Sequence, residues 1–160
     1  MGRQADELTL EIVRVIDAPR AVVWRCWTQP ELLKQWYCPK PWAVTKADMD
    51  VRAGGRFNTV MEGPTDERVD NEGCFLEVVP GERLTFTDGY TEGFMPRPSS
   101  FMTGYVLLTD EADGKTRMAW GARHATQETR DQHLEMGFEQ GWGAAAAQLE
   151  ELATRVAAAS

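Results

Sequence analysis

At 160 residues and 42% hydrophobic content, the chain is sized for one domain with a sizeable core and is too short for two comfortable ones. Its net charge of −8 repels phosphate backbones, and no dense Lys/Arg patch overrides that locally. Composition therefore argues against nucleic acid and against anionic membrane surfaces as partners.

The three cysteines, Cys26, Cys38 and Cys74, are odd in number and form no CxxC pair. Neither a disulfide framework nor a zinc knuckle is suggested, and a reducing cytoplasm is the expected setting. The start MGRQADELTLE places acidic residues where a leader needs an apolar run, and Asp6 breaks the myristoylation pattern. No apolar stretch approaches membrane-spanning length.

Residues 8–16 alternate, with Leu8, Leu10 and Ile12 on one face and Val13 and Val15 on the other. This predicts a strand, with a bulge near its end where the apolar phase slips. Asp17 is the expected N-cap of a first helix running to Trp27, with Pro19 in its first turn. Thr28-x-x-Glu31 has the form of a capping box, so a second short helix is expected up to Trp36. Pro39 and Pro41 end the helical pattern.

Strands follow over 44–51 and 56–61, turned by Gly54-Gly55, and after a polar loop at 62–71 over 73–79, 83–88, 102–108 and 116–124. With the first strand that makes seven, and the short connections imply antiparallel pairing. In the last strand Thr116, Met118, Trp120, Ala122 and His124 share a face. From Thr126, Leu134, Phe138, Trp142, Ala145, Leu149, Leu152 and Val156 recur at steps of three and four, which predicts one long helix of roughly 45 Å.

The segments DAPRAVVWRCWTQPELLKQW, DVRAGGRF, GCFLEVVPGERLTFT and HLEMGFEQGW, in that order, resemble the START-like or SRPBCC superfamily. Within it they are similar to the branch named for activators of the heat-shock protein 90 ATPase. The resemblance covers about 8–152 of a single domain spanning 1–160. It implies an α+β helix-grip fold, in which an antiparallel sheet curls around the C-terminal helix and leaves a cavity. It does not by itself imply a reaction.

The residues expected to line that cavity are Trp36, Tyr37, Trp42, Met61, Phe86, Tyr90, Phe94, Met102, Trp120, His124, Phe138 and Trp142, an aromatic and methionine inventory suited to an apolar molecule. Trp24 and Trp27 are assigned to the core. Arg56, Tyr90 or a histidine would orient the ligand. His124 and His133, the two histidines, are candidate proton-transfer residues near one end of the cavity. Glu135 and Glu139 flank the same turn, but no HxxxH or HExxH spacing exists, so no metal is expected. No cofactor fingerprint occurs. Cys38, despite nearby Lys40, reads as a buried inert thiol. Gly137 and Gly141 either permit close packing against the helix or leave room for a ligand. Phe94 and Met95, in the loop 91–100, either cover the cavity mouth as a lid or pack on a second copy or on the sheet edge.

Three functions fit: binding a small apolar molecule, a cyclase-, aromatase- or hydrolase-like enzyme using the same hollow, and a module that docks on a chaperone. A homodimer through a sheet edge or the short helices is compatible with each.

Overall fold

The computed structural model describes residues 7–159. The expectations about a leader and myristoylation fall largely on the first six residues and lie outside the described ones.

Strand β1 (Thr9–Ile16) pairs without interruption against a strand near the end of the sheet, Ile16 facing Thr116 and Thr9 facing Arg123. No bulge forms, contrary to expectation. Leu10 and Ile16 are buried, and Val13 and Val15 stay outside. The residue that mimicked a phase slip is Arg14, which keeps its inward register by ion pairing with Glu150.

Helix α1 (Arg20–Thr28) is capped by Pro19 rather than Asp17, and α2 (Pro30–Leu33) by Gln29. Neither predicted side-chain cap forms. The Asp17 N–H is drawn to Glu150 Oε2 at 2.9 Å, and the Thr28 hydroxyl donates back to the Trp24 carbonyl at 2.8 Å.

The seven expected strands are present and three short ones join them. They are β2 (Ala43–Met49), β3 (Phe57–Glu62), β5 (Cys74–Val79), β6 (Arg83–Thr87), β9 (Thr103–Glu111) and β10 (Lys115–Arg123), with β1. The additions are β4 (Arg68–Asn71), within the predicted polar loop, and the tiny pair β7 (Tyr90–Thr91) and β8 (Met95–Pro96). Instead of one sheet there are three, ordered β1-β10-β9-β6-β5, β2-β3-β4 and β7-β8. The first two are stitched by the Arg56–Cys74 bridge and by the Phe57 N–H on the Gly73 carbonyl at 3.0 Å. Gly73 permits this approach, because a Cβ there would stand 2.8 Å from the Thr87 carbonyl.

The C-terminal segment is two helices, α3 (Gln127–Glu135) and α4 (Phe138–Ala159). Gly137, at φ +89°, breaks the predicted single rod. The break resets the helical phase, so His133 is buried and Leu134 is turned outward at 37% exposure. Helix α4, at ~1.5 Å per residue about 33 Å long, lays Ala145, Ala146, Leu149, Leu152 and Ala153 on the sheet. The main core joins these to Trp27, Trp36, Phe75, Leu84, Val106 and Met118. A second, smaller cluster joins Leu10, Ala122 and Phe138, with Met102 and Trp142 against it.

Candidate functional site

A cavity of about 400 Å³ lies between the sheets and the α3–α4 bend, lined by residues of both clusters. Phe57, Thr59 and Met61 project from β3, Phe86 and Thr87 from β6, Trp120 from β10, and Phe138, Gly141, Trp142 and Ala145 from α4. Tyr37, Cys38 and Pro39 close one side from the turn after α2. At the mouth stand Val69 of β4 and Met136 of the bend, 44% and 68% exposed. Among the described residues neither Lys nor Arg lines the space, whereas Glu72 and Asp88 do.

The walls are built from stacked rings. Trp142 lies over Trp120 at 4.3 Å and tilts against Phe138 at 4.4 Å, and the Tyr37 ring stacks with Trp120 at 6.2 Å. Trp142 and Phe138 therefore line the hollow instead of plugging it. Gly141 contributes by lacking a side chain, since the nearest atom to a Cβ there would be Pro39 Cγ at 4.0 Å. Gly137 serves the bend, not packing inside a helix. The wall at Tyr37 is held by Gln148 of α4, whose amide donates to the Trp36 and Cys38 carbonyls at 3.1 and 2.8 Å and accepts from the Lys40 N–H at 3.0 Å.

The polar groups are few and mostly engaged. The Thr87 hydroxyl donates to the Met102 carbonyl and accepts from the Gly89 N–H, both at 3.1 Å. The Asp88 carboxylate takes the N–H groups of Phe101 and Met102 and the Ser100 hydroxyl, which fixes Phe101 and Met102 on the cavity wall. Burial pushes the Tyr37 phenol above its ordinary range, so it stays protonated. Burial likewise pushes the Cys38 thiol up to about 11, so it is no nucleophile, and Lys40 does not counter this.

The two histidines meet. His124 Nδ1 is 2.8 Å from the Leu8 carbonyl oxygen, and His124 Nε2 is 2.9 Å from His133 Nδ1. A carbonyl can only accept, so in the neutral pair Nδ1 of His124 carries hydrogen and its Nε2 accepts. His133 must then donate through Nδ1, which leaves a lone pair on Nε2. His133 reaches the cavity and His124 stands behind it. Phe101, Phe138 and Trp142 pack edge-on around His133 at 4.9, 5.0 and 5.6 Å. Burial, then the charge of His124, lowers the His133 pKa to about 4, so His133 is neutral near pH 7.

Of the residues expected at the site, Tyr37, Met61, Phe86, Met102, Trp120, Phe138, Trp142 and His133 line the cavity, whereas Trp36, Trp42, Arg56, Tyr90, Phe94 and His124 do not. Trp36 is buried in the core, its Nε1 donating to the Cys26 carbonyl at 2.9 Å. Trp42 is half-buried elsewhere. Tyr90 and Phe94 pack on each other at 6.3 Å, with Phe94 seated over Gly54 and not over the mouth. Neither Phe94 nor Met95 lines the cavity, so of the two readings of this loop the structure fits packing on the protein's own surface and not a lid. Arg56 is spent on Asp48 and Glu92 at 2.7 and 3.1 Å, away from the cavity. Glu135 and Glu139 are exposed, and among the described residues no His, Cys, Asp and Glu side chains gather as a metal set. No described helix is long and apolar enough to cross a membrane. Alternation along residues 57–61 could have exposed Phe57 and Thr59. Val69, Phe101 and Met136 carried no such signal.

The chain is similar to several solved structures. Protein NE0264 from Nitrosomonas europaea is 41% identical at a TM-score of 0.91, covering 95% of this chain and 97% of its own. Protein Ms6760 from Mycobacterium smegmatis is 30% identical at 0.77, covering 92% and 91%. A protein from Arthrobacter aurescens is 25% identical at 0.81, covering 94% and 88%. No curated protein matches. The profile of the family described as activator of Hsp90 ATPase homolog 1-like protein matches residues 17–154. With a helix-grip architecture and this match over most of its length, the chain belongs to that family, a branch of the SRPBCC superfamily.

Proposed function

We propose that the protein binds a small, largely apolar organic molecule in the cavity between the sheets and α4. The observation that carries this is a hollow of about 400 Å³ walled by Trp120, Trp142, Phe86 and Phe138, with exposed Val69 and Met136 at its mouth. Unfilled apolar space forfeits packing, and a ligand recovers it by burying surface at roughly 25 cal/mol per Å². Membership in a superfamily whose members bind hydrophobic ligands supports the same reading.

The test is a thermal-shift titration with apolar aromatic compounds, on the native protein and on Gly141→Leu. The substitution places a side chain in the cavity and removes a helical glycine, so the fold is expected to survive. Binding should raise Tm in the native protein and fail to do so in the variant. Equal shifts in both would overturn the proposal. Stimulation of a chaperone ATPase that the blocked variant retains in full would favour the docking function instead.

A further inference from the structure

We propose that the cavity selects largely apolar molecules that carry no anionic group and present a hydroxyl or N–H donor to Nε2 of His133. The inference rests on the ligand-binding reading above and adds the chemistry of the ligand.

Three observations carry it. The first is the direction of the histidine relay. The Leu8 carbonyl sets the hydrogen on His124 Nδ1, His124 Nε2 accepts from His133 Nδ1, and the chain of donors ends in a bare acceptor on His133. His133 Nε2 has no hydrogen-bond partner among the described residues, although the side chain is only 7% exposed and lines the cavity. An acceptor that the protein leaves unmatched takes its hydrogen bond from a ligand donor in place of water.

The second observation is charge. The cavity presents the acids Glu72 and Asp88 and, among the described residues, no Lys or Arg. A carboxylate or phosphate ligand would lose its hydration with no cation to receive it, and would meet like charge at the rim. The third is the competition for the other polar groups. Thr87 and Asp88 already serve backbone partners, and Thr59 receives the Asn71 amide at 3.4 Å. Two groups deep in the lining are left for orienting a guest, the acceptor on His133 and the Tyr37 hydroxyl, and of these only His133 Nε2 is confined to accepting. Phe101, Phe138 and Trp142 hold its ring in place.

The experiment compares 2-naphthol, 2-methoxynaphthalene and 2-naphthoate at neutral pH by calorimetry, with the native protein and His133→Phe. The rings are the same and only the polar substituent differs. In the native protein 2-naphthol should bind about tenfold more tightly than its ether, with 2-naphthoate weakest. His133→Phe keeps an aromatic ring in the aromatic nest and should erase the preference for naphthol. Equal affinity of naphthol and ether in the native protein, a preference that persists in His133→Phe, or tightest binding of naphthoate would overturn the inference while leaving the ligand-binding reading intact. Failure of all three to bind would sink that reading and this one with it. Nitrogen-15 NMR of the histidines is an independent check that needs no variant. His133 should carry hydrogen on Nδ1 and none on Nε2, and the opposite tautomer would end the argument.

Discussion

Arg14 and Glu150 join the first strand to the last helix, with Nε and Nη2 of the arginine 3.0 and 2.9 Å from one carboxylate oxygen. The other oxygen of Glu150 takes the Asp17 N–H. One acidic side chain therefore positions both the inward charge of β1 and the turn into α1. The pair is partly exposed, so its worth is modest. Glu150→Ala should lower stability by about 1 kcal/mol and Glu150→Gln by less, measured by urea unfolding. Loss of several kcal/mol would mean that the contact matters far more than its exposure allows.

Gly137 should resist substitution for a reason of backbone, not space. A Cβ there would meet nothing closer than Gln140 Oε1 at 3.8 Å, yet φ is +89°. Gly137→Ala is expected to cost about 1–2 kcal/mol, and Gly137→Asn less, because asparagine tolerates the left-handed region better. An unchanged thermal midpoint in the alanine variant would imply that α3 and α4 can merge into one helix.

Gly104 controls the cavity without lining it. The Phe86 ring lies across it, so a Cβ would fall 2.4 Å from Phe86 Cε2. Gly104→Ala should push this ring from its seat, cost about 1–3 kcal/mol and weaken apolar binding. A stable variant with native affinity would show that the ring has a second resting place.

Stability should depend on pH through His133. Its folded pKa, about 4, lies below the ordinary 6.5, so the unfolded chain binds the proton more readily between those values. Stability is then full above about pH 6.5 and falls on acidification toward pH 4, by an amount on the order of 3 kcal/mol, before levelling off. His133→Phe should flatten this part of the profile. An equal slope in the variant would assign the effect to another group.

Strands were legible where one face is buried and one is wet, as at the ends of β10, where buried Thr116 and Ala122 neighbour exposed Arg117 and Arg123, because period-two alternation has a direct physical cause. Strand β4 was not, since all four of its residues are exposed and nothing alternates. The helix break was hidden because Leu134 and Phe138 continue a helical spacing straight through Gly137, and a glycine inside such a pattern does not announce its φ. That concealment exchanged His133 for Leu134 on the inner face. The aromatic wall was largely readable as residue types. Which rings face the hollow was not, because Tyr90 and Phe94 differ from Tyr37 and Phe86 only in what the distant chain places beside them. Arg14 misled by itself, its pairing being set by a helix more than a hundred residues away.

The grip of Gln148 has a mechanical consequence. Three hydrogen bonds tie the Trp36–Lys40 turn to α4, making that wall and the long helix one body. Helix α3 by contrast commits a single buried side chain, His133, to the interior. On the ligand-binding reading, entry is expected to swing the short helix about its glycine pivot while the long helix stays put. Amide hydrogens of α3 should exchange with deuterium well before those of α4 near Gln148, and added guest should slow the former.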